Sequence, residues 1–177
     1  MRLNSALWLA AIAIATLPVS LQAQICEVTI PRLAPDSRYI DHGNGTVTDS
    51  VTGLMWKQCS EGQSGSGCSS GSAEIFTWDA ALQRPATLNS SGGFAGYGDW
   101  RLPNRHELYS LVEVACASPS INLTYFPNTS SGIFWSSSVV ADLNGNAWFV
   151  DFNIGRSNYN YSRTSTDFVR LVRGGTF

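Results

Sequence analysis

A short segment near the C-terminus combines the side chains best suited to ligand chemistry. It contains two arginines, two asparagines and two tyrosines: Arg156, Asn158, Tyr159, Asn160, Tyr161 and Arg163. Guanidinium groups pair with sulfate or carboxylate through two hydrogen bonds, and tyrosine rings can cover the apolar face of a sugar. The pattern predicts side chains that could hydrogen-bond to or stack on a sugar and pair with a sulfate or carboxylate group. The competing interpretation is a solvated hairpin, because tyrosines at period two usually line one side of a sheet.

Four cysteines could form disulfides or bind a metal. In an oxidising compartment Cys26, Cys59, Cys68 and Cys116 can pair completely, with three connectivities open. The loop between Cys59 and Cys68 is rich in glycine and serine, so its ends can close at small entropic cost. We therefore predict one disulfide between Cys59 and Cys68. The second, Cys26 to Cys116, would tie an N-terminal segment of residues 24–40 to the domain.

Metal binding and catalysis are not predicted. None of the cysteine spacings is Cys-x-x-Cys, and His42 and His106 are isolated in sequence, which argues against zinc. A glycine-rich turn beginning at Asp41 is only superficially like a calcium loop, because Thr52 stands where a bidentate glutamate is needed. The sequence has no nucleophile elbow, and its two histidines are far apart. We expect a protein that is not an enzyme and holds no cofactor.

The beginning of the chain predicts export. Arg2 is followed by an almost unbroken apolar run over residues 7–17 and by a short segment that ends at Ala23. This pattern is typical of a secretory signal peptide over residues 1–23, because the run is shorter than the about 20 residues that a membrane span needs. We expect an exported protein that is periplasmic, at the cell surface or secreted, with no membrane span after signal removal.

The composition excludes several broad classes of protein. Of the 177 residues, 44% are hydrophobic and only 14% are charged, which is not the composition of a disordered chain. The net charge is -2, so the basic surface of a general nucleic-acid-binding protein is missing. Nucleic acid is therefore not expected as a partner.

The elements that must position the candidate ligand-binding side chains are hairpins, two helices and a C-terminal set of strands. An Asn-Gly turn and alternating residues predict a β-hairpin over residues 45–58. Later strands are predicted over residues 134–137, 146–152, 157–161 and 168–173. The last of these has apolar side chains on both faces and should be central in its sheet. The order of elements indicates an α+β fold.

The two helices are marked by capping residues. Thr77 can cap a helix that begins at Trp78, and Pro85 should kink or end its first part. Asn104 opens a variant of the capping box for a second helix, predicted over residues 104–116.

Aromatic residues dominate the predicted core. Five tryptophans adjoin apolar residues in predicted elements and are expected to be buried: Trp56, Trp78, Trp100, Trp135 and Trp148. Trp100 should pack between its loop and the second helix. Its neighbours Asp99 and Arg101 are expected to form an internal ion pair that fixes this loop.

Six ordered blocks of sequence carry a resemblance to a known family. They are GTVTD at 45–49, TGLMW at 52–56, FAGYGDWRLPN at 94–104, FWSSS at 134–138, AWFVDF at 147–152 and VRLVRGG at 169–175. In this order the blocks resemble the Lcl C-terminal domain family, named from a bacterial collagen-like adhesin. The resemblance covers about residues 41–175, and we assign a domain over 41–177.

The resemblance implies a C-type-lectin-like fold in a secreted or surface-exposed bacterial protein. In that fold two helices flank a twisted antiparallel sheet with hairpins. The adhesin that names the family binds sulfated polysaccharide, which implies a binding module here. Calcium-dependent lectins carry paired Glu/Gln-Pro-Asn/Asp and Trp-Asn-Asp strings, and this sequence has neither. Any glycan would therefore be bound without calcium.

Two other classes of function stay open. The first is a structural or protein-interaction domain of a cell-envelope assembly, whose partner would be a surface protein and which could form oligomers. The second is an oxidase, because the string WRLP at residues 100–103 is also similar to formylglycine-generating enzymes. Their chemistry depends on cysteines in the C-terminal part of the domain. No cysteine follows Cys116, so this class is disfavoured.

Overall fold

The fold combines two α-helices with mostly antiparallel strands, in agreement with the predicted α+β class. A computed structural model describes residues 23–141 and 145–174. Residues 1–22 of the predicted signal peptide therefore lie outside the described residues. The helices are α1 (Trp78–Ser90) and α2 (Arg105–Tyr109), with 3-10 helices at Asp36–Arg38 and Ser66–Cys68. The strands are β1 (Ile25–Cys26), β2 (Tyr39–Asp41), β3 (Thr46–Asp49), β4 (Met55–Lys57), β5 (Gln63–Ser64), β6 (Ser70–Gly71), β7 (Ile75–Phe76), β8 (Cys116–Ala117), β9 (Ile133–Val139), β10 (Asn146–Asp151), β11 (Arg156–Ser162), β12 (Asp167–Phe168) and β13 (Val172–Arg173).

Two sheets form the body of the domain. The larger has five strands in the order β11-β10-β9-β12-β7, and the smaller has four in the order β13-β4-β3-β2. The strands β1 and β8 pair separately, as do β5 and β6. Only the pairing of β12 with β9 is parallel among the described strands. The strand β11 therefore lies at an edge of the larger sheet.

The predicted hairpin over residues 45–58 is confirmed as β3 and β4. Val47 pairs with Trp56 in its centre, and both side chains are fully buried. The turn includes Gly53 with a φ of +70°, in the left-handed region that favours glycine. The carboxylate of Asp49 accepts hydrogen bonds from the Val51 amide (3.0 Å) and the Thr52 hydroxyl (2.7 Å), which fixes the turn from within.

The start of α1 is as predicted, but the helix does not end at Pro85. The Thr77 hydroxyl accepts a hydrogen bond from the Ala80 amide at 3.4 Å, as an N-cap residue should. Pro85 lies inside the helix, which continues to Ser90. Trp78 and Pro85 are buried, so the face of α1 that packs on the larger sheet includes the proline.

The second helix is shorter than the predicted 104–116. Its capping box is confirmed, because Asn104 Oδ1 accepts from the Glu107 amide (3.0 Å) and Glu107 Oε2 accepts from the Asn104 amide (2.8 Å). After α2 the chain turns, and the Glu113 amide donates to the Ser120 carbonyl at 3.0 Å instead of continuing the helix. Pairing with the segment that follows this turn thus ends the helix early.

The C-terminal strand predicted over residues 168–173 is in fact two strands in different sheets. The strand β12 lies between β9 and β7, whereas β13 is at the edge of the smaller sheet. Val169 and Leu171, between the two strands, face one hydrophobic core. Val172, the first residue of β13, faces the other. Apolar residues occur on both faces because the segment crosses between two cores, and only β12 has the predicted central position.

The hydrophobic interior has two parts. The first core lies where the two sheets meet α2, and its buried members include Tyr39, Val47, Trp56, Leu108, Phe126, Phe134, Val150 and Phe152. The second core lies under α1 and includes Trp78, Ala81, Trp100, Leu102, Trp135, Ala147, Phe149, Val169 and Leu171. Four of the five predicted core tryptophans are buried, and Trp148 is the exception.

Both predicted disulfides are present. Cys59 is bonded to Cys68, and Cys26 is bonded to Cys116. The second bond is flanked by the pairing of β1 with β8, so the N-terminal segment is attached by backbone as well as by sulfur. Tyr39, near the end of the predicted segment 24–40, belongs to β2 and is buried in the first core.

Two carboxylates on the larger sheet flank Ile133. Asp151 pairs with Ile133 from one side, and the pairing of Phe168 with Phe134 brings Asp167 to the other side. Asp167 Oδ2 is buried and has no hydrogen-bond partner. Burial, and then the charge of Asp151, raises the pKa of Asp167 from 3.8 to about 6.

The raised pKa predicts that Asp167→Asn stabilises the protein near neutral pH. The folded state favours the protonated carboxyl, so stability is lost as pH rises from the unfolded pKa of 3.8 through the folded pKa of about 6. With solvent screening taken into account, the gain should be about 1 kcal/mol near pH 7.5 and should vanish near pH 4. Denaturant unfolding of both proteins across this range measures it. A difference that does not change with pH would contradict the assignment.

Candidate functional site

The six residues predicted to bind ligand do not form one surface. Five lie on the edge strand β11 and Arg163 follows it directly. Cross-strand partners share a face of the sheet, and Tyr161 and Arg156 are opposite Ala147 and Asp151 on the face toward α1. Tyr159 instead contacts Trp148, on the other face. The strand therefore distributes the predicted set over two sides.

Two of the six residues belong to the packing around the second core. The Tyr161 ring lies 5.7 Å from the Trp135 ring and 5.6 Å from the Phe149 ring. The Arg163 guanidinium lies 4.3 Å from the centre of the Trp78 ring, and its Nε donates to the Asn146 carbonyl at 2.8 Å. These contacts leave both side chains only partly exposed.

Four of the six side chains are exposed: Arg156, Asn158, Tyr159 and Asn160. The side-chain oxygen of Asn158 accepts from the Tyr159 amide at 2.8 Å, so part of its hydrogen-bonding capacity is used locally. Arg156 stands opposite Asp151 in the strand register, but no carboxylate lies within ion-pair distance of it in the described part of the chain. Its guanidinium is open to solvent.

Tyr159 is part of a different cluster, which we call the aromatic shelf and which consists of Arg105, Trp148 and Tyr159. The rings of Trp148 and Tyr159 are 4.8 Å apart between centroids. The Arg105 guanidinium lies 4.0 Å from the centre of the Trp148 ring, which is cation-π distance. All three side chains are at least partly exposed, so they present two rings and a cation side by side.

An irregularity in the sheet brings Trp148 to the shelf. The register of β10 shifts between Ala147 and Phe149 relative to both of its neighbours. The Trp148 carbonyl accepts from the Ser136 hydroxyl at 2.7 Å at this point. Bulges re-aim side chains and are common next to functional sites. Trp148 shares its face with the buried Val150, but lies beyond the end of the first core, which is why its predicted burial is wrong.

The first residue of α2 brings the cation. The Arg105 amide donates to the Ser138 hydroxyl at 3.0 Å, which links the start of α2 to β9 beside the shelf. Within residues 23–141 and 145–174 no carboxylate pairs with Arg105. The sequence analysis missed this residue, because its position after the helix cap says nothing about which distant ring it covers.

The shelf borders a shallow groove of about 540 Å³. Besides the shelf itself, the groove is lined by Ser138, Val139, Val140 and Ala141. A guanidinium with no counter-charge can pair with an anionic group, while an adjacent indole and phenol can stack on a sugar ring. Chemically, the groove fits a ligand that joins an acidic substituent to a flat apolar surface.

The predicted pair of Asp99 with Arg101 is wrong. Arg101 is bonded through both terminal nitrogens to the carboxylate of Glu107, at 2.7 Å each, and Asp99 pairs with Arg173 at 2.7 Å. The backbone bridge between Arg101 and Val172 brings β13 alongside this segment. Asp99 therefore pairs with Arg173 of β13 instead of Arg101, which is two residues away in the sequence. These ion pairs join the loop to α2 and to β13.

The described residues contain neither a cluster of metal ligands nor a membrane-spanning helix. No group of three or more His, Cys, Asp or Glu side chains is close enough there to hold a metal ion. In the same residues no helix combines the length and the apolar character needed to cross a bilayer.

Comparison with known proteins identifies the domain. No curated protein matches the chain. The family model of the Lcl C-terminal domain matches residues 45–173, which is most of the described chain and includes β3, both helices and the whole aromatic shelf. This chain therefore belongs to the Lcl C-terminal domain family.

Proposed function

We propose that the protein is a non-catalytic, exported binding module that recognises acidic or sulfated polysaccharide through the aromatic shelf. The observation that carries the proposal is the Arg105 guanidinium, 4.0 Å from the partly exposed Trp148 ring and without a paired carboxylate among the described residues. Membership in the Lcl C-terminal domain family supports a domain of a surface protein.

The arrangement of the shelf favours a charged sugar over a small anion. A guanidinium held against an indole keeps its edge N–H groups free for two parallel hydrogen bonds with sulfate or carboxylate. The Tyr159 ring extends the apolar surface beside Trp148, so the sugar that carries the acidic group can stack on the rings. Since the groove is open, successive units of a chain can continue past it.

We also infer a C-type-lectin-like fold and a location outside the cytoplasm. Two helices against antiparallel sheets, with the N-terminal strand β1 paired to β8, support the fold. Two disulfides that use all four cysteines are compatible with an oxidising compartment. Binding is proposed to be independent of calcium, and addition of a chelator tests this.

Single substitutions in the shelf should weaken binding to heparin, used as the probe. Trp148→Ala and Arg105→Ala should each reduce affinity by about 10- to 30-fold, as expected when a central aromatic or arginine contact is removed. Affinity of the parent should also fall steeply with added salt and be unaffected by chelator, because exposed charges are screened within about 8 Å at physiological ionic strength. Calorimetric titration at two salt concentrations measures both effects.

Arg156→Ala is the matched control, because it removes the same charge from an exposed position on the other face. It should change affinity by less than about twofold if the charge acts locally. If Arg156→Ala lost most of its affinity for heparin and Arg105→Ala lost none, the binding site would instead be the face of β11 that carries Arg156. No binding of heparin by the parent protein at low salt would reject the polysaccharide proposal and favour an interaction domain of a cell-envelope assembly.

A further inference from the structure

The turn that leads into β3 contains an asparagine followed by a glycine, Asn44 and Gly45. Asn44 is exposed and Gly45 is partly exposed, so solvent reaches both residues. In such a pair the backbone nitrogen of the glycine can attack the side-chain carbon Cγ of the asparagine and close a five-membered ring. Glycine obstructs this reaction least, because it has no side chain beside the attacking nitrogen.

The side-chain oxygen of Asn44 accepts two hydrogen bonds from one residue, Thr46. The Thr46 hydroxyl donates at 2.6 Å and the Thr46 amide at 3.2 Å. Two donors directed at one carbonyl oxygen stabilise the negative charge that develops there when a nucleophile adds to the carbon. Thr46 is fully buried, so the fold holds both donors in place before any reaction begins.

The attacking and leaving groups of this reaction make no competing hydrogen bonds. Neither the Gly45 amide nor Asn44 Nδ2 donates to another group in the described part of the chain. The Gly45 nitrogen can therefore lose its proton to solvent base, and Nδ2 can leave as ammonia without breaking a contact of the fold.

The fold requires both residues of the pair. Gly45 has a φ of +83°, in the left-handed region, and a Cβ atom there would lie 2.9 Å from the Phe94 ring. Its carbonyl accepts from the Gln58 amide at 2.9 Å, which joins the turn to the end of the hairpin. Asn44 in turn caps Thr46, the first residue of β3. The conformation that starts β3 therefore also retains the reactive pair.

We propose that Asn44 and Gly45 are a site of covalent self-modification, at which the folded protein converts Asn44 through a succinimide to aspartate and isoaspartate. The Gly45 nitrogen loses its proton to solvent base and bonds to Asn44 Cγ, while the oxyanion on Oδ1 accepts from Thr46. The bond from Cγ to Nδ2 breaks as Nδ2 takes a proton from water, and ammonia leaves. Water then adds to either carbonyl of the ring and opens it. Water is the one co-reactant, and nothing is oxidised or reduced.

The modification changes the charge and the backbone of the turn. Both products place a carboxylate where the parent has a neutral amide, in the same turn as the exposed Asp41. Isoaspartate also adds one carbon to the backbone immediately before β3. The site shares no residue with the aromatic shelf, so the reaction does not depend on polysaccharide binding.

Peptide mapping of protein stored folded in mildly alkaline buffer measures the reaction. Trypsin releases residues 39–57, in which Asn44 carries the only side-chain amide. We expect this peptide to gain, over time, the mass difference between an NH₂ and an OH group and to separate by chromatography into an aspartate and an isoaspartate form. Formation of aspartate alone would mean direct hydrolysis and would overturn the succinimide route.

Variants of Thr46 test the role of its hydroxyl. Thr46→Val keeps the branched shape but cannot donate, and it should slow the loss of Asn44 by about 3- to 10-fold, the factor for one neutral hydrogen bond. Thr46→Ser keeps the hydroxyl and should react within about twofold of the parent. Thr48→Val is the matched control on the same strand, because the Thr48 hydroxyl contacts His42 Nε2 and not Asn44. Its rate should equal that of the parent.

Two further comparisons separate geometry from local sequence. In denaturant the parent and Thr46→Val should react at the same rate, because the contacts of Thr46 are lost. The other Asn-Gly pair, Asn144 and Gly145, is in a different tryptic peptide, and its rate should be the same in every folded variant. A change there would mean that Thr46→Val acts by unfolding the protein. That result, an intact Asn44 in the folded parent, or loss of Asn44 at least as fast in Thr46→Val would overturn the proposal.

Discussion

Glu61→Gln is expected to lower the free energy of unfolding by roughly 3–5 kcal/mol, the range for removing one partner of a buried ion pair. Glu61 is fully buried and its two oxygens meet Lys57 at 2.5 Å and Arg84 at 2.6 Å. Glutamine keeps the shape of the side chain but not its charge. The Lys57 ammonium, itself nearly buried, would then remain in the interior without a counter-ion.

Denaturant unfolding with the disulfides intact measures this effect. The exposed Glu74 gives a matched control, because Glu74→Gln should change stability by less than about 0.5 kcal/mol. Adding Lys57→Met to Glu61→Gln removes the orphaned charge and should restore part of the loss, which a double-mutant cycle detects as coupling. A loss below about 1 kcal/mol in Glu61→Gln would mean that water or a bound anion reaches this segment.

Local sequence signals predicted those parts of the fold that depend on neighbouring residues. The hairpin over residues 45–58 follows from alternation and turn residues, and the cap of α2 follows from Asn104 and Glu107, three positions apart. The disulfide between Cys59 and Cys68 closes a short flexible loop. In each case the interaction that fixes the conformation is encoded within a few positions of the residues concerned.

Most features set by distant segments were predicted incorrectly or not at all; the disulfide between Cys26 and Cys116 is an exception, because it was the pairing left once Cys59 was assigned to Cys68. A feature set nearby was also missed, because the helix predicted to reach residue 116 ends early where Glu113 pairs with Ser120 across a turn. The C-terminal strand divides where Arg170 turns inward to reach the carbonyl of Lys57, on a segment far away in the sequence. Hydrophobic alternation indicates how many faces are buried, but not that the two faces belong to different sheets.

The candidate site likewise combines a residue that could be predicted from its neighbours in the sequence with residues that could not. Tyr159 was among the residues predicted from composition, whereas Trp148 was expected in the core and Arg105 was not considered. A period-two pattern correctly put Trp148 on the face of Val150, but the end of a core depends on what covers it. Here Arg105, the first residue of α2, lies over the Trp148 ring in place of an apolar side chain. The shift of strand register at Trp148 also belongs to this end of the sheet.

Trp100→Ala should cost roughly 3–5 kcal/mol of unfolding free energy, as large aromatic truncations in a core do. Trp100 is 2% exposed and packs with Phe94 at 5.9 Å in the second core, against α1 and not against the second helix as the sequence suggested. Its indole Nε1 donates to the Phe94 carbonyl at 3.1 Å. The loss thus combines a cavity, an aromatic contact and an unpaired carbonyl.

Trp100→Phe separates these contributions, because it keeps most of the buried ring but removes the indole N–H. Its cost should be about 1–2 kcal/mol, the sum of one hydrogen bond and a small packing defect. Asn89 bonds to the backbone N–H and carbonyl of residue 100 and holds the chain in place in either variant, so the difference between them reports the side chain alone. Near-parental stability of Trp100→Ala would mean that this ring is solvent-exposed, and it would then join Trp148 as a candidate surface for stacking on sugar.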